Sequence, residues 1–235
     1  MFDEFFEVFL ADTEHARKIH FNIRYQVYCE EMGFEDKQNC PEPYEKDKWD
    51  SNAVHFILRH RQSGAWVGAM RLIFHQNGRL PILEHCKIHK QANRDELARS
   101  VELSRLCVLK EVRRRCTDGI PPTGLAEQDS KAVSYLFNQR RLQNSLIWGL
   151  YRAASIYCKK RQIKTWYFLT TMALAKIVNR ENFKFKLIGD CCRLNGDRFP
   201  FSINLDEVLA NPLWSNDYAA GYKLYSELDS VALAA

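Results

Sequence analysis

A mixed α/β fold (α+β in its arrangement) is what the order of elements predicts: a helix, a meander of strands, a long helix, a strand, a helix and final strands. Three observations carry this. Stretches with a period near 3.6 alternate with stretches of strand character. A hairpin is marked by its turn residues. A strand over 100–109 keeps its β-character despite charges within it. At 235 residues the chain buries one substantial core, so 1–235 is read as a single domain.

The first helix spans 14–32, with Ile19, Ile23 and Val27 at helical spacing and Thr13 as a cap; Arg24 sits beside that apolar stripe. Residues 33–52 form a polar loop rich in proline, asparagine and acid. A hairpin follows: Ala53–His60, a turn around Gln62-Ser63-Gly64, and Trp66–His75. A short strand is expected at Leu80–Leu83 and a longer one at Ser100–Leu109. Residues 110–130 read as a basic loop containing a Gly/Pro segment, and 132–161 as a long helix. Lys164–Thr170 is a strand, Met172–Arg180 a helix, and Phe183–Ile188 and Arg198–Ile203 the last strands.

Composition narrows the function classes. Hydrophobic residues at 46% and charged residues at 27% describe an ordinary globular chain. No apolar run approaches the ~20 residues that span a bilayer. The acidic start, Met1-Phe2-Asp3-Glu4-Phe5-Phe6-Glu7, lacks the basic character of a signal peptide. A cytoplasmic protein is therefore expected, with its eight scattered cysteines reduced. His85-Cys86-Lys87-Ile88-His89 has no second ligand pair at metal spacing, so no metal is expected.

Charge is uneven. Residues 1–60 hold 7 Lys/Arg and 13 Asp/Glu, whereas residues 105–164 hold 13 Lys/Arg and 4 Asp/Glu. The basic half is either a solvated helix face or a surface for nucleic acid, a phosphorylated cofactor or an acidic carrier protein. Nucleic acid is disfavoured: no reader motif is present, and it would not explain Glu102 or Arg71.

The chemistry lies in four charged clusters: Arg24, the run Glu45/Asp47/Asp50, Arg71, and Glu102-Leu103-Ser104-Arg105. Arg71, Glu102 and Arg105 fall inside apolar stretches, where an ionised group is costly unless paired or used. On a regular strand Glu102 and Ser104 share a face and Arg105 takes the other. A bulge there would bring both charges to one cleft. A buried Glu–Arg pair that ties two strands together is the alternative.

Ile23-Arg24-Tyr25-Gln26-Val27-Tyr28-Cys29-Glu30-Glu31-Met32-Gly33-Phe34, Asp47-Lys48-Trp49-Asp50, Gly68-Ala69-Met70-Arg71-Leu72 and Glu102-Leu103-Ser104-Arg105 together resemble the signature of the acyl-homoserine-lactone (autoinducer) synthase superfamily, over roughly residues 15–110. Val27-Tyr28-Cys29-Glu30-Glu31, His55-Phe56 and Pro81-Ile82-Leu83-Glu84-His85-Cys86 look closer to the acyltransferases associated with PEP-CTERM/exosortase systems, neighbours of the N-acyl amino acid synthases. The resemblance implies the GNAT (N-acetyltransferase-like) fold, a mostly antiparallel central sheet with splayed strands and helices on both faces. It implies fatty-acyl transfer from acyl-carrier protein, or coenzyme A, to an amine such as that of an amino acid, with no permanently bound cofactor. Arg24, Phe34, Asp47, Asp50, Arg71, Glu102 and Arg105 map onto signature positions, Phe34 standing where the synthases usually carry Trp.

An α-amino group has a pKa near 8 and must lose a proton before it attacks a thioester. Glu102 is the candidate base. Ser104 either positions the thioester or protonates the leaving thiolate, and backbone N–H groups near Leu106–Val108 are candidates for the oxyanion. No cysteine is paired with an activating histidine, so attack is read as direct. Arg24, Asp47, Asp50 and Arg71 either hold the acceptor or lock helix to sheet. Arg113-Arg114-Arg115, Arg140/Arg141 and Lys159-Lys160-Arg161 suit an acidic carrier or the pantetheine phosphate, and Trp148, Phe137 and Leu146 line either an acyl tunnel or the core. An S-adenosylmethionine-dependent lactone synthase and a non-catalytic carrier-binding module are the competing readings.

Overall fold

The computed structural model describes residues 2–75, 77–89, 92–113, 140–215 and 217–228. Its helices are α1 Phe2–Phe5, α2 Glu14–Tyr25, α3 Pro81–His85, α4 Arg94–Ala98, α5 Lys110–Arg113, α6 Arg140–Lys160, α7 Met172–Arg180 and α8 Leu205–Leu209. Its strands are β1 Phe6–Leu10, β2 Ala53–His60, β3 Trp66–Phe74, β4 Ser100–Val108, β5 Thr165–Thr170, β6 Lys186–Leu187, β7 Cys192–Arg193, β8 Asp197–Asn204 and β9 Lys223–Leu224. They form one nine-stranded sheet in the order β6-β8-β5-β4-β3-β2-β1-β9, with β7 on β8. Among the described residues, only β4–β5 and β1–β9 pair in parallel. This is the mixed, mostly antiparallel GNAT-like architecture that the sequence leads one to expect.

The two faces are covered by different helices. Leu146, Leu150, Ala153 and Ala154 of α6 pack against Phe56, Leu58, Met70, Leu72, Val101 and Trp166. On the other face Ala16 and Ile23 of α2, with Val27 just beyond it, meet Ile57, Ala69 and Cys107. Thr13 caps α2, its hydroxyl accepting from the Ala16 N–H at 3.2 Å. Helix α6 comes close to the N-terminal segment: a Cβ on Gly149 would collide with the Phe2 ring. No helix among the described residues is long and apolar enough to cross a membrane.

Several boundaries differ from expectation for identifiable reasons. The helix expected over 14–32 is α-helical to Tyr25 and continues as a π-helical turn over Gln26–Glu31, a form common at functional sites. Leu80–Leu83 is no strand; Pro81 sits at the first turn of α3, where its missing N–H costs nothing. Strand β1 lies in the acidic start, whose Glu7 pairs with Lys223 at 2.9 Å and Arg61 at 3.1 Å. The cysteines are not all reduced: Cys86 and Cys192 form a disulfide across 106 residues. Backbone pairing brings them together, with His89 N–H donating to Ile188 at 2.9 Å and Asp190 N–H to Lys87 at 3.0 Å.

The feature that positions the site is the parting of β4 from β5. Their register runs from Ser100–Thr165 to Leu103–Phe168 and stops there, although β4 continues to Val108 and β5 to Thr170. Beyond Leu103, the strand pairing of β4 among the described residues is with β3 alone.

Candidate active site

Three arginines meet the acids of the 35–50 segment. Arg24, fully buried, donates to Glu45 at 2.5 Å and to Asp50 at 2.6 Å. Arg71 holds Asp47 with two nitrogens, at 2.7 and 2.9 Å, reaches Asp50 at 2.7 Å and donates to Ser104 Oγ at 3.0 Å. Arg105 reaches Glu45 at 3.0 Å, Glu35 at 3.1 Å and Asp47 at 3.2 Å. The chain positions the acids locally. Asp47 caps a 3₁₀ turn over Lys48–Asn52, accepting from Trp49 N–H at 2.8 Å, while Asp50 accepts from Asp47 N–H at 2.8 Å.

Burial would raise the acid pKa values, but the hydrogen bonds and charge of the arginines, with the His55 hydrogen bond at Asp50, outweigh it. Asp47, Asp50 and Glu45 are all held below the usual carboxylate range. Behind them His55 Nε2 lies 3.1 Å from Asp50, and the His20 and His55 rings are 4.6 Å apart. Burial pushes both histidines toward the neutral form.

Glu102 stands apart from this network. It faces Ile73 on β3 and Tyr167 on β5, is 2% exposed, and forms no ion pair among the described residues. Its Oε2 accepts a hydrogen bond from Ile82 N–H in α3 at 2.8 Å. Burial pushes its pKa up to about 8, a rise that this hydrogen bond and the Arg71 charge only limit. One carboxyl is therefore poised near neutrality beside three that remain ionised.

The expected bulge exists on this strand, at Arg105 and Leu106. Ala69 pairs with Cys107 and Arg71 with Ser104, so Arg105 and Leu106 together oppose Met70. Arg105 has φ +51°, a left-handed conformation that non-glycine residues seldom adopt. The bulge turns Arg105 toward the acids, over the Tyr28 ring at 5.3 Å, and lets Tyr28 O–H donate to the Leu106 carbonyl at 3.2 Å.

A cleft of about 570 Å³ opens where the strands part. Glu102, Ser104, Arg71 and Asp47 give it a polar wall; Leu103, Phe168, Tyr151 and Leu174 give it an apolar one; Met32 and Phe34 reach its rim. On β4, Val101 and Leu103 pack in the α6-side core, as do Trp166 and Phe168 on β5. Glu102 and Ser104 alternate with them on the opposite face. The cleft thus passes between the strands and draws on both faces of the sheet.

Of the sequence-derived candidates, Phe34, Asp47, Arg71, Glu102, Ser104, Arg105 and Leu106 line this cleft. Arg24 and Asp50 lie behind it, bracing Arg71 and the turn. Val108 and Trp148 are in the core, Trp148 stacked on Phe183 at 5.2 Å, so neither is brought to the cleft. Leu146 is also in the core. Phe137, Arg114 and Arg115, and the side chains of Arg113, Arg140 and Arg141, lie outside what the structure describes. Tyr28, Glu35 and Glu45 join the site without an assigned role from sequence. Glu45 is visible in the sequence as a member of the acidic run, though with no role of its own; the other two depend on contacts across the fold.

Residues 23–119 match the family model described as an acetyltransferase (GNAT) domain. No curated protein matches the chain. Among solved structures, the CoA-dependent acyl-homoserine lactone synthase BjaI, with SAM and isopentyl-CoA, is similar at a TM-score of 0.61 and 14% identity, over 94% of this chain and 92% of that one. The AHL synthase LasI is similar at a TM-score of 0.56 and 15% identity, over 85% and 90%. FeeM, an N-acyl amino acid synthase from uncultured soil microbes, is similar at 0.53 and 12%, over 89% and 96%. The matched domain and the parted sheet give this chain the GNAT-like fold and support an acyltransferase of the GNAT type.

Proposed function

We propose that this protein is an N-acyltransferase that moves a fatty acyl group from a phosphopantetheine thioester, carried by acyl-carrier protein or coenzyme A, to the amine of an amino acid or similar small acceptor. The observation that carries this reading is Glu102, ion-paired with no arginine among the described residues and with its pKa near that of an α-amino group, set in a cleft cut through the sheet. Proton transfer from the acceptor ammonium to Glu102 is then nearly balanced in energy and leaves a neutral amine. The amine nitrogen attacks the thioester carbon. The oxyanion is met by the backbone at the bulge, where Leu106 lines the cleft. On collapse the carbon–sulfur bond breaks, one of the two remaining amine protons passes to the thiolate through Ser104, and the other stays on the amide nitrogen. Arg71 orients Ser104 by its hydrogen bond.

In this reading Asp47 and Asp50 brace the site, because arginines and backbone amides already occupy their oxygens. The basic residues Arg113–Arg115 supply the carrier-docking surface, and the chain acts beside an exosortase system, as the branch resemblance suggests. The primary test is incubation with long-chain acyl-ACP or acyl-CoA and a pool of amino acids, read by mass spectrometry. An acylated amine with free carrier thiol is expected. A homoserine lactone formed from S-adenosylmethionine would instead select the lactone-synthase reading, and no transfer from either donor would leave only carrier binding.

A further inference from the structure

The cations around the cleft are unequally compensated. Lys48 is paired with Glu84 at 2.8 Å, Arg71 with Asp47 and Asp50, and Arg105 with Glu35, Glu45 and Asp47. Arg198 also lines the cleft, yet among the described residues its guanidinium has no carboxylate partner; its one hydrogen bond is to the Asp197 carbonyl at 3.3 Å. Its location is fixed by the sheet. The last β5–β8 rung joins Thr170 to Phe199, so Arg198 stands just past the end of β5, beside Leu194 and Asn195 on the same wall. Glu102 is level with Tyr167, which puts the two about 13 Å apart along the strand at ~3.3 Å per residue. At that separation Glu102 and Arg198 form no direct ion pair.

We infer that Arg198 is a specificity-determining residue that binds an anionic group of the substrate, a carboxylate on the acceptor or the phosphate on the donor's pantetheine arm. This rests on the acyl-transfer reading for its choice of ligands. A guanidinium offers forked donors that match both oxyanions, and a partly buried one gains more from such a partner than an exposed lysine does. Among the described residues, the other arginines lining the cleft have their donors committed to carboxylates and to Ser104, which leaves Arg198 to discriminate by charge.

The test is calorimetric titration of two matched pairs, N-dodecanoylglycine against N-dodecanoylglycinamide and phosphopantetheine against pantetheine, into the wild-type protein, Arg198→Gln and Arg198→Lys. Wild type should bind the anionic member of one pair about tenfold more tightly. Arg198→Gln should bring that ratio close to one, and Arg198→Lys should restore part of it. Discrimination within the glycine pair assigns the acceptor carboxylate; discrimination within the pantetheine pair assigns the donor phosphate. The inference is overturned if wild type discriminates in neither pair, or if Arg198→Gln keeps the ratio. Because binding is read without turnover, absent acyl transfer alongside intact discrimination would defeat the acyl-transfer reading and leave the anion site standing.

Discussion

Arg71 and Asp47 meet in a two-pronged pair, Nη1 to Oδ1 at 2.7 Å and Nη2 to Oδ2 at 2.9 Å, and the third nitrogen of the same guanidinium turns to Ser104. One side chain therefore ties the acidic turn to the strand that carries the proposed chemistry. Removing it strands the carboxylates. Arg71→Met should destabilise the protein by about 3–5 kcal/mol, the usual result of breaking a buried charge network from one side. Urea unfolding measures this; a loss under about 1 kcal/mol would show that the pair contributes little.

Glu102→Gln should lower kcat roughly 10²–10⁴-fold, as expected for loss of a general base. The amide oxygen can still accept from Ile82 N–H, so folding should be retained. An unchanged rate and pH profile would remove Glu102 from the proposed role.

The same residue gives a stability signature. Its folded pKa is raised to about 8 from an unfolded value near 4.5, so the folded state holds the proton more tightly. Its contribution is complete below about pH 4.5 and is lost as pH rises through about 8. Glu102→Gln should therefore abolish a decline of several kcal/mol across that window. Asp47, Asp50 and Glu45 have the opposite sign, with lowered values whose contribution is full above the usual carboxylate range and lost in stronger acid. Denaturant midpoints taken from pH 4 to 9 in both proteins separate the two effects.

Gly149→Ala should cost about 1–3 kcal/mol despite alanine's better helix propensity, because the new methyl group would collide with the Phe2 ring. Phe2→Ala in the same chain should relieve part of that cost. If Gly149→Ala raises the melting temperature, the close packing of α6 on the N-terminal segment is not maintained in solution.

The Cys86–Cys192 bond closes a loop of 106 residues and joins the end of α3 to the β7–β8 wall. Cys86→Ser should destabilise by about 2–4 kcal/mol under oxidising conditions and make the protein insensitive to added thiol. Free thiols at both cysteines in the oxidised protein, by alkylation and mass spectrometry, would contradict the bridge.

Much of the site was legible because charge inside apolar runs is conspicuous. Arg24, Arg71, Glu102 and Arg105 announce themselves by cost alone, and the need to bring Glu102 and Arg105 to one side implied a bulge. What escaped depended on partners distant in sequence. Whether an aromatic on a long amphipathic helix faces a cleft or the core is set by neighbours, and so Trp148 lies on Phe183 while Tyr151 reaches the cleft. Strand β1 hid in an acidic start because Lys223 and Arg61, far along the chain, accommodate Glu7. Tyr28 acquires its part only because a bulge on β4 turns a carbonyl toward it.

The turn over Lys48–Asn52 has a consequence for how this protein matures. Its two capping aspartates are also the counter-ions of Arg24 and Arg71. Shaping a five-residue surface turn and sheltering two interior cations are thus a single event. The turn acts as a latch: a chain that has built its sheet but not closed this segment leaves Arg24 with Glu45 alone and Arg71 with only the Ser104 hydroxyl.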